Sequence, residues 1–324
     1  MRLSRTVALL ACVVSAGSAI AQNAAAWPSR PVTIITGYQP GSGVDTVTRF
    51  IAEQMRKRTG QPFIVETKPG AIGNVAASAV ARSAPDGYSV LFTPNSTHAI
   101  NPHLFKQLPY DPVRDFLPVT TVLSVGFMLL VNPQSVPVNS VSELTEYVRA
   151  RPGKISYGSG NASVEVAAAM YQRLAKLDAV NVRYKGVPQS LTDLLGGQVH
   201  FIFSDVSFGL PMTRAGKVKA LAVTTARRVS AMPGVPTMVE AGIAGFEEVN
   251  GWMALFYPAN VPLEIAQKFA DQANQFMAGD EARELLSRLG SDPFPGSPAE
   301  STKFIANELA KWGRIVRAAG IQAE

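Results

Sequence analysis

The stretch from Val32 to Asp45 contains a β-branched run, a glycine and proline turn, and the start of an amphipathic segment. Residues 32–36 are valine, threonine and isoleucine, which is typical of a buried strand. The apolar spacing from Asp45 to Arg56 predicts a helix after the turn. First-turn N–H groups lack intrahelical partners, and the helix dipole makes that end positive. The turn is therefore a candidate site for a carboxylate or phosphate, although strand, turn and helix also occur together for purely steric reasons.

The first 21 residues have the pattern of a secretory signal peptide. Arg2 and Arg5 precede an apolar run, and Ala19-Ile20-Ala21 provides a cleavage pattern before Gln22. The apolar run is shorter than the roughly 20 residues that a membrane-spanning helix needs. We therefore predict cleavage after Ala21 and export to the periplasm. Lipidation at Cys12 is the alternative that this sequence also allows.

Composition limits the chemistry of the mature chain. Cys12 is the only cysteine and lies in the predicted signal peptide, so the mature chain would have no disulfide and no thiol nucleophile. With 324 residues, 47% of them hydrophobic, the chain can bury a large core, and its length favours two lobes over one. The formal net charge of +6 is modest and unclustered, which predicts no nucleic-acid partner.

Two successive α/β units follow the signal peptide. Predicted strands lie near residues 32–36, 63–66, 88–92, 127–131, 155–157, 181–184, 199–203 and 218–223. Most of them end in glycine-rich or polar turns that lead into helices, as in a parallel sheet whose ligand site lies beyond the carboxyl ends of its strands.

The C-terminal third predicts long helices, near residues 262–277, 281–289 and 298–319, which need a sheet to cover. We therefore predict an α/β fold with a discontinuous first lobe, residues 27–127 and 252–324, and a second lobe, residues 128–251. Each lobe is expected to be a mainly parallel sheet flanked by helices, and the chain is expected to cross between lobes twice. Residues 101–118 are expected to form an irregular surface segment.

No cofactor or metal motif is convincing. The chain lacks a nucleophile elbow, a phosphate loop and a zinc-protease helix. The turn from Gly158 to Ser163 resembles a dinucleotide fingerprint but has serine where the third glycine should pack. The three histidines, His98, His103 and His200, have separations that match no helical metal pair. We predict no cofactor and no metal site.

Asp45 and Asp205 are the candidates for an enzymatic role. Facing each other across a cleft, they would form the carboxylate pair of a hydrolase or lyase. The alternative is that Asp45 caps the first helix and that Asp205 only ends a strand.

Hydroxyl and amide side chains collect at the strand ends of both units, and such groups bind ligands without reacting with them. They are Tyr38, Ser42, Asn74, Asn95, Ser96, Thr97, Ser159, Asn161 and Ser163. Two glycine-turned helix N-termini that face each other would hold the two ends of a small dianion. Alternatively, Ser163 and Asn74 cap their own helices.

Eight short motifs in register resemble those of one family, from Trp27 to the C-terminus. They are Pro40-Gly41-Ser42-Gly43-Val44-Asp45, Lys68-Pro69-Gly70-Ala71-Ile72-Gly73-Asn74, Ala84-Pro85-Asp86-Gly87-Tyr88, Leu108-Pro109-Tyr110-Asp111-Pro112, Tyr157-Gly158-Ser159, Tyr184-Lys185-Gly186, Leu194-Leu195-Gly196-Gly197-Gln198 and Ala215-Gly216-Lys217-Val218-Lys219-Ala220-Leu221-Ala222-Val223. Together they resemble the tripartite tricarboxylate transporter (TTT) substrate-binding proteins, the Bordetella uptake gene or Bug family.

The resemblance implies a periplasmic binding protein that is not an enzyme. Two α/β lobes would close as a Venus flytrap on a small mono- or dicarboxylate, aliphatic or aromatic, and deliver it to a TTT-type membrane permease. We expect a monomer. A receptor that docks to a signalling protein, or a hydrolase or lyase, is the alternative. The expected ligand-binding residues are Tyr38, Ser42, Gly43, Asn95, Ser96, Thr97, Ser159, Asn161, Ser163 and Asp205.

The sequence departs from the family pattern near this expected pocket. Tyr38-Gln39-Pro40-Gly41-Ser42 stands where the family usually has aromatic-Pro-Pro-Gly-Gly, and the Gly158 turn is one residue shorter. Arg183 stands where proline often precedes Tyr-Lys-Gly, and it would add a cation to the pocket if it faces inward.

Overall fold

The computed structural model describes residues 27–229, 231–246 and 248–323. The predicted signal peptide, its cleavage site and Cys12 lie outside these residues. The described chain forms two β-sheets and ten α-helices. None of these helices is long and apolar enough to cross a membrane.

Eleven strands of the described residues build the two sheets. In chain order they are β1 (Val32–Thr36), β2 (Phe63–Thr67), β3 (Ser89–Pro94), β4 (Phe116–Val125), β5 (Phe127–Val131), β6 (Ile155–Ser159), β7 (Ala179–Arg183), β8 (Phe201–Asp205), β9 (Lys219–Val223), β10 (Gly251–Pro258) and β11 (Ser291–Pro293). The first sheet has the order β11-β4-β10-β3-β1-β2, and the second has the order β7-β6-β8-β5-β9. We call the first sheet with its surrounding helices lobe 1, and the second sheet with its surrounding helices lobe 2.

Ten helices connect and cover the strands. They are α1 (Gly43–Thr59), α2 (Asn74–Ala81), α3 (Asn101–Leu104), α4 (Val141–Arg149), α5 (Ala162–Ala175), α6 (Val187–Leu195), α7 (Val206–Arg214), α8 (Leu263–Met277), α9 (Asp280–Arg288) and α10 (Pro298–Ala318). Among the C-terminal helices, α8 and α10 pack against β4 of the first sheet.

The two-lobe α/β prediction is confirmed, and both sheets are mixed. β1 pairs in parallel with β2 and β3, and β6 pairs in parallel with β7 and β8. β10 runs antiparallel to β3 and β4, and β5 runs antiparallel to β8 and β9. β5 and β10 are the first strands after the chain has crossed from the other lobe. They start at the edge where β1, β3, β6 and β8 end, so they must run in the opposite direction.

Glycines allow a close backbone approach at the two crossings. Gly126 is the single residue between β4 and β5, and a Cβ atom there would lie 2.6 Å from Thr225 Cγ2. A Cβ atom on Gly251, the first residue of β10, would lie 2.7 Å from Val125 Cγ1. Both distances are too short for a side chain, so the crossing strands pack more closely here than alanine would permit.

Strand β4 is the main element that the sequence did not predict. The segment expected to be irregular contains α3 and the first residues of β4. Pro118 cannot donate a hydrogen bond to a sheet, and its presence argued against a central strand. The structure accommodates it where the pairing of β4 with β10 shifts in register, between Leu255 and Phe256.

Candidate ligand-binding cleft

The start of α1 forms part of the first wall, and Ser42 is its N-cap. Ser42 Oγ accepts the N–H of Asp45 at 3.1 Å. The Asp45 carboxylate in turn accepts the N–H of Gly41 and the Nε–H of Arg49, both at 3.0 Å. The expectation that Asp45 is the cap is therefore wrong, because Asp45 lies in the first turn of the helix. Ser42 leaves the first N–H of the helix, that of Gly43, without an intrahelical partner.

Tyr38 and Asn95 bring polar groups to the carboxyl ends of β1 and β3. Tyr38 Oη and Asn95 Nδ2 are buried and have no hydrogen-bond partner among the described residues, and Thr36 Oγ1 shares this property. Burial raises the pKa of the Tyr38 hydroxyl, the charge of Asp205 raises it further, and the Ser96 side chain opposes the shift. The Tyr38 hydroxyl therefore keeps its proton and remains a hydrogen-bond donor.

The second wall is built on the N-termini of α5 and α7. Asn161 caps α5 because its Oδ1 accepts the N–H of Val164 at 3.0 Å. Asn161 Nδ2 donates to Asp205 Oδ2 at 3.2 Å, and Asp205 ends β8 immediately before α7. Desolvation raises the pKa of Asp205 to about 6, although hydrogen bonds from its own backbone and from Asn161 favour the ionised form. Because Asn161 is the cap of α5, Ser163 does not cap its own helix.

Ser163 joins the second wall to the first. Its hydroxyl donates to Asn95 Oδ1 at 3.1 Å, and both side chains are buried. A Cβ atom on Gly43 of α1 would lie 3.0 Å from the hydroxyl oxygen of Ser207 on α7. The N-termini of α1, α5 and α7 therefore converge, and the walls of the two lobes are in contact across the cleft.

Three of the sequence-selected residues direct their side chains into the lobes. Thr97 is fully buried, and its hydroxyl lies 3.0 Å from that of Thr93 and 2.8 Å from His98 Nδ1. Ser159 Oγ donates to Asn181 Oδ1 at 2.9 Å within lobe 2. Asn74 Oδ1 accepts hydrogen bonds from Asn101 and Tyr110 and does not cap its helix. Their hydroxyl and amide groups form hydrogen bonds within their own lobe and stabilise the elements that form the walls.

Arg183 pairs with Glu165 and does not supply a cation to the cleft. Its Nη2 lies 2.6 Å from Glu165 Oε1, and its side chain is 53% exposed whereas that of Glu165 is 8% exposed. The same oxygen of Glu165 accepts Asn181 Nδ2 at 3.2 Å. Asn181 also accepts a hydrogen bond from the Ser159 hydroxyl. Arg183 and Ser159 therefore belong to one hydrogen-bond network that includes Glu165 in the first turn of α5.

The histidines are parts of the packed structure. The His98 ring stacks on Phe256 with centroids 3.7 Å apart, and burial lowers its pKa to about 3, so His98 is neutral. His103 Nε2 lies 2.9 Å from the carbonyl oxygen of Leu309, and His200 Nδ1 accepts the N–H of Ser156 at 3.1 Å. No group of three or more possible metal ligands occurs among the described residues.

A cavity of about 520 Å³ lies between residues 225–229 of lobe 2 and residues 283–293 of lobe 1, and none of the sequence-selected ligand residues lines it. Arg227, Arg228 and Arg283 contribute to its lining. Arg228 is paired with Glu240, and Arg283 is paired with Asp280. The cleft itself is narrow in this structure because its walls touch, so cavity volume does not identify the ligand site.

Sequence reasoning missed Thr36 and Ser207. Thr36 is the last residue of β1, and Ser207 lies in the first turn of α7, two residues after Asp205. Both follow the rule that selected the other residues, which is that polar side chains at strand ends line the ligand edge of an α/β sheet. The hydroxyl of each could therefore have been included from the sequence.

Comparisons with known proteins give a consistent result. Residues 47–321 match the family model described as the tripartite tricarboxylate transporter family receptor. Protein BugT of Bordetella pertussis is 29% identical over 325 residues, which cover 99% of this chain and 99% of BugT.

Two solved structures share the architecture. The R. palustris protein Rpa4515, solved with adipate, has a TM-score of 0.88 and 32% identity, covering 92% of this chain and 100% of that chain. MatC (Rpa3494) from Rhodopseudomonas palustris, solved with bound malate, has a TM-score of 0.83 and 31% identity, covering 90% and 100%.

Proposed function

The chain belongs to the tripartite tricarboxylate transporter receptor family, and we infer that it is a solute-binding protein, not an enzyme, that captures a small organic carboxylate between its lobes. The observation that carries this inference is the hydrogen bond from Ser163 to Asn95, which joins the start of α5 in lobe 2 to the end of β3 in lobe 1. Helix N-termini from both lobes meet at the same place, and their unpaired N–H groups favour an anion.

We propose that the residues contacting the ligand lie at the strand ends and helix N-termini of the two walls. They are Tyr38, Ser42, Gly43, Asn95, Ser96, Asn161, Ser163 and Asp205. The buried and unpartnered Tyr38 Oη and Asn95 Nδ2 support this assignment, because a carboxylate would accept hydrogen bonds from both groups. Thr97 and Ser159 act indirectly, through the side chains that they support.

The size class of the ligand is supported by the solved relatives. Rpa4515 was solved with adipate and MatC with malate, both small organic acids. By this similarity we propose a mono- or dicarboxylate for this chain.

The enzymatic alternative lacks a carboxylate pair. The Asp45 carboxylate of lobe 1 is occupied by the N–H of Gly41 and by Arg49, whereas the Asp205 carboxylate accepts Asn161 within lobe 2. A general acid and base would need both carboxylates to be directed at one substrate. The residues that meet in the cleft are instead suited to binding.

We further propose how the receptor is deployed. Residues 27–127 with 252–324, and residues 128–251, would move as two lobes of a monomer in the periplasm and hand the ligand to TTT-type permease subunits. Intact mass of the purified periplasmic protein tests export, and we expect an N-terminus at Gln22 without lipid. Loss of uptake of the ligand in a deletion strain separates transport from sensing.

A thermal-shift screen of the mature protein against organic acids tests the binding function. A ligand that binds only the folded state raises the melting temperature, because it adds to the free energy of unfolding. The gain is about 2.7 kcal/mol at a ligand concentration of 100 times its Kd. We expect a small set of carboxylates to raise it, and calorimetry should then give one site per chain. If no carboxylate shifts the melting temperature, or if an acid is converted to a product, the proposed function is wrong.

A further inference from the structure

The lobe 1 wall carries hydrogen-bond donors that lack a partner. Tyr38 lies just after β1 and Asn95 just after β3. Asn95 Nδ2 is buried and unpartnered among the described residues. Tyr38 Oη is buried and has no hydrogen bond of normal geometry among them, although the Ser96 side chain is close enough to lower its pKa. A buried donor without a partner is unfavourable, so this wall is suited to a ligand group that accepts hydrogen bonds, such as a carboxylate.

The lobe 2 wall carries a carboxylate of its own. The Asp205 carboxylate accepts hydrogen bonds from its own backbone and from Asn161 Nδ2, the latter at 3.2 Å, and the side chain is partly exposed. None of the ion pairs found among the described residues includes Asp205. The remaining acceptor capacity of Asp205 is suited to a ligand group that donates hydrogen bonds.

Asp205 and the lobe 1 donors face the same space. Ser207, two residues after Asp205, lies against Gly43 at the start of α1, where a Cβ atom would be 3.0 Å from the Ser207 hydroxyl oxygen. Asn161, which holds Asp205, caps the helix whose Ser163 donates to Asn95. A small molecule between the walls would therefore meet donors on one side and a carboxylate on the other.

We propose that the ligand is a carboxylate whose opposite end carries an N–H or O–H donor, and that Asp205 selects this donor over a second carboxylate. The inference rests on the proposed function, because it names the class of organic acid that the same cleft binds. A simple diacid would bring its second negative charge next to Asp205, and like charges at close range disfavour that pose.

The protonation state of Asp205 agrees with this role. The pKa of Asp205 is raised to about 6 by desolvation. At pH 7.5 the group is still mostly ionised, so it accepts hydrogen bonds from an amide, a hydroxyl or an ammonium group. An ammonium group would in addition neutralise a charge that no described cation pairs with.

Matched pairs of ligands test the selection. Each pair consists of a diacid and its monoamide of equal chain length: succinate with succinamate, glutarate with glutaramate, and adipate with adipamate. The two members have nearly the same shape, but only the amide donates hydrogen bonds at its distal end. Calorimetric titration of the ligand-free protein at pH 7.5 should show that the monoamide of the best-fitting pair binds at least tenfold more tightly than the diacid.

Asp205→Asn removes the charge at constant shape and should abolish or reverse this preference. Asp193→Asn is the matched control, because the Asp193 carboxylate also lies on lobe 2 and accepts one side-chain hydrogen bond, from Tyr184, but is not among the residues proposed to contact the ligand. The control should keep the wild-type preference. The melting temperatures of both variants report whether each has folded, and the wild-type preference can be measured without either variant.

Two results would overturn the inference while the proposed function stands. One is a wild-type protein that binds a diacid as tightly as its monoamide, and the other is a preference that survives in Asp205→Asn. If carboxylates of neither type bind the wild-type protein, the proposed function fails and this inference fails with it.

Discussion

The hydroxyl of Ser163, at the start of α5, donates a hydrogen bond to Asn95 Oδ1 at 3.1 Å, at the end of β3. The two side chains belong to different lobes and are 68 residues apart in the chain. The bond exists only when the lobes are close, so it contributes to the closed form and not to the open form. Any ligand that closes the cleft gains this contribution as well.

Ser163→Ala should weaken ligand binding by about 1–3 kcal/mol, roughly fivefold to more than a hundredfold in Kd, because Asn95 Oδ1 loses its donor in the closed form. Calorimetric titration measures the change. Ser159→Ala is the control, since it removes a hydroxyl of the same lobe that donates to Asn181 and not across the cleft. An equal loss in both variants would mean that the interlobe bond does not explain the effect.

Asp205→Asn should stabilise the ligand-free protein at pH 7.5. The pKa of Asp205 is raised from 3.8 to about 6 in the folded protein, so the folded state holds its proton at a pH where the unfolded chain has lost it. The cost of the buried charge is absent below about pH 4, grows with pH, and is complete above about pH 6. It amounts to at most about 3 kcal/mol.

Urea unfolding at pH 7.5 and at pH 4 measures this effect. The variant should exceed the wild type in free energy of unfolding at pH 7.5, and the difference should nearly vanish at pH 4. A variant that is no more stable than the wild type at the higher pH would show that the Asp205 carboxylate is well solvated.

Glu308→Ala should strongly destabilise the protein. Glu308 Oε2 accepts the indole N–H groups of Trp252 at 2.8 Å and Trp312 at 3.2 Å. Glu308 Oε1 lies 2.6 Å from Lys311 Nζ, and the two side chains are only 8% and 14% exposed. The substitution leaves two indole donors unpaired and leaves the buried Lys311 ammonium group with only Asn250 Oδ1, at 3.3 Å, which should lower the free energy of unfolding by about 3–5 kcal/mol.

Urea unfolding followed by tryptophan fluorescence measures the loss. Glu284→Ala provides the comparison, because Glu284 forms an ion pair with Arg288 in which both side chains are largely exposed. It should leave the stability nearly unchanged. A similar small effect for Glu308→Ala would mean that water replaces the buried network.

A true ligand should reduce the radius of gyration in solution scattering. We expect the lobes to hinge at the crossings near Gly126 and Gly251, because donors from both walls would reach one ligand only when the walls approach. An acid that does not bind should leave the scattering curve unchanged. Tight binding without a change in the curve would favour a rigid pocket instead.

The sequence by itself determined most of the fold. The apolar strands, the glycine turns and the helices that follow are local patterns, and the motifs in register carried the family resemblance. For example, the turn from Gly158 to Ser163 leads from β6 into α5 as expected, because strand, turn and helix depend on residues close in sequence.

Only the tertiary structure decided what each polar side chain does. Ser163 and Ser159 look equivalent in sequence, yet one bonds Asn95 of lobe 1 and the other Asn181 of its own sheet. Arg183 looked available to a ligand, but it is paired with Glu165. These partners are set by sheet order, register and lobe contact, which join residues far apart in the chain, and no local pattern encodes them.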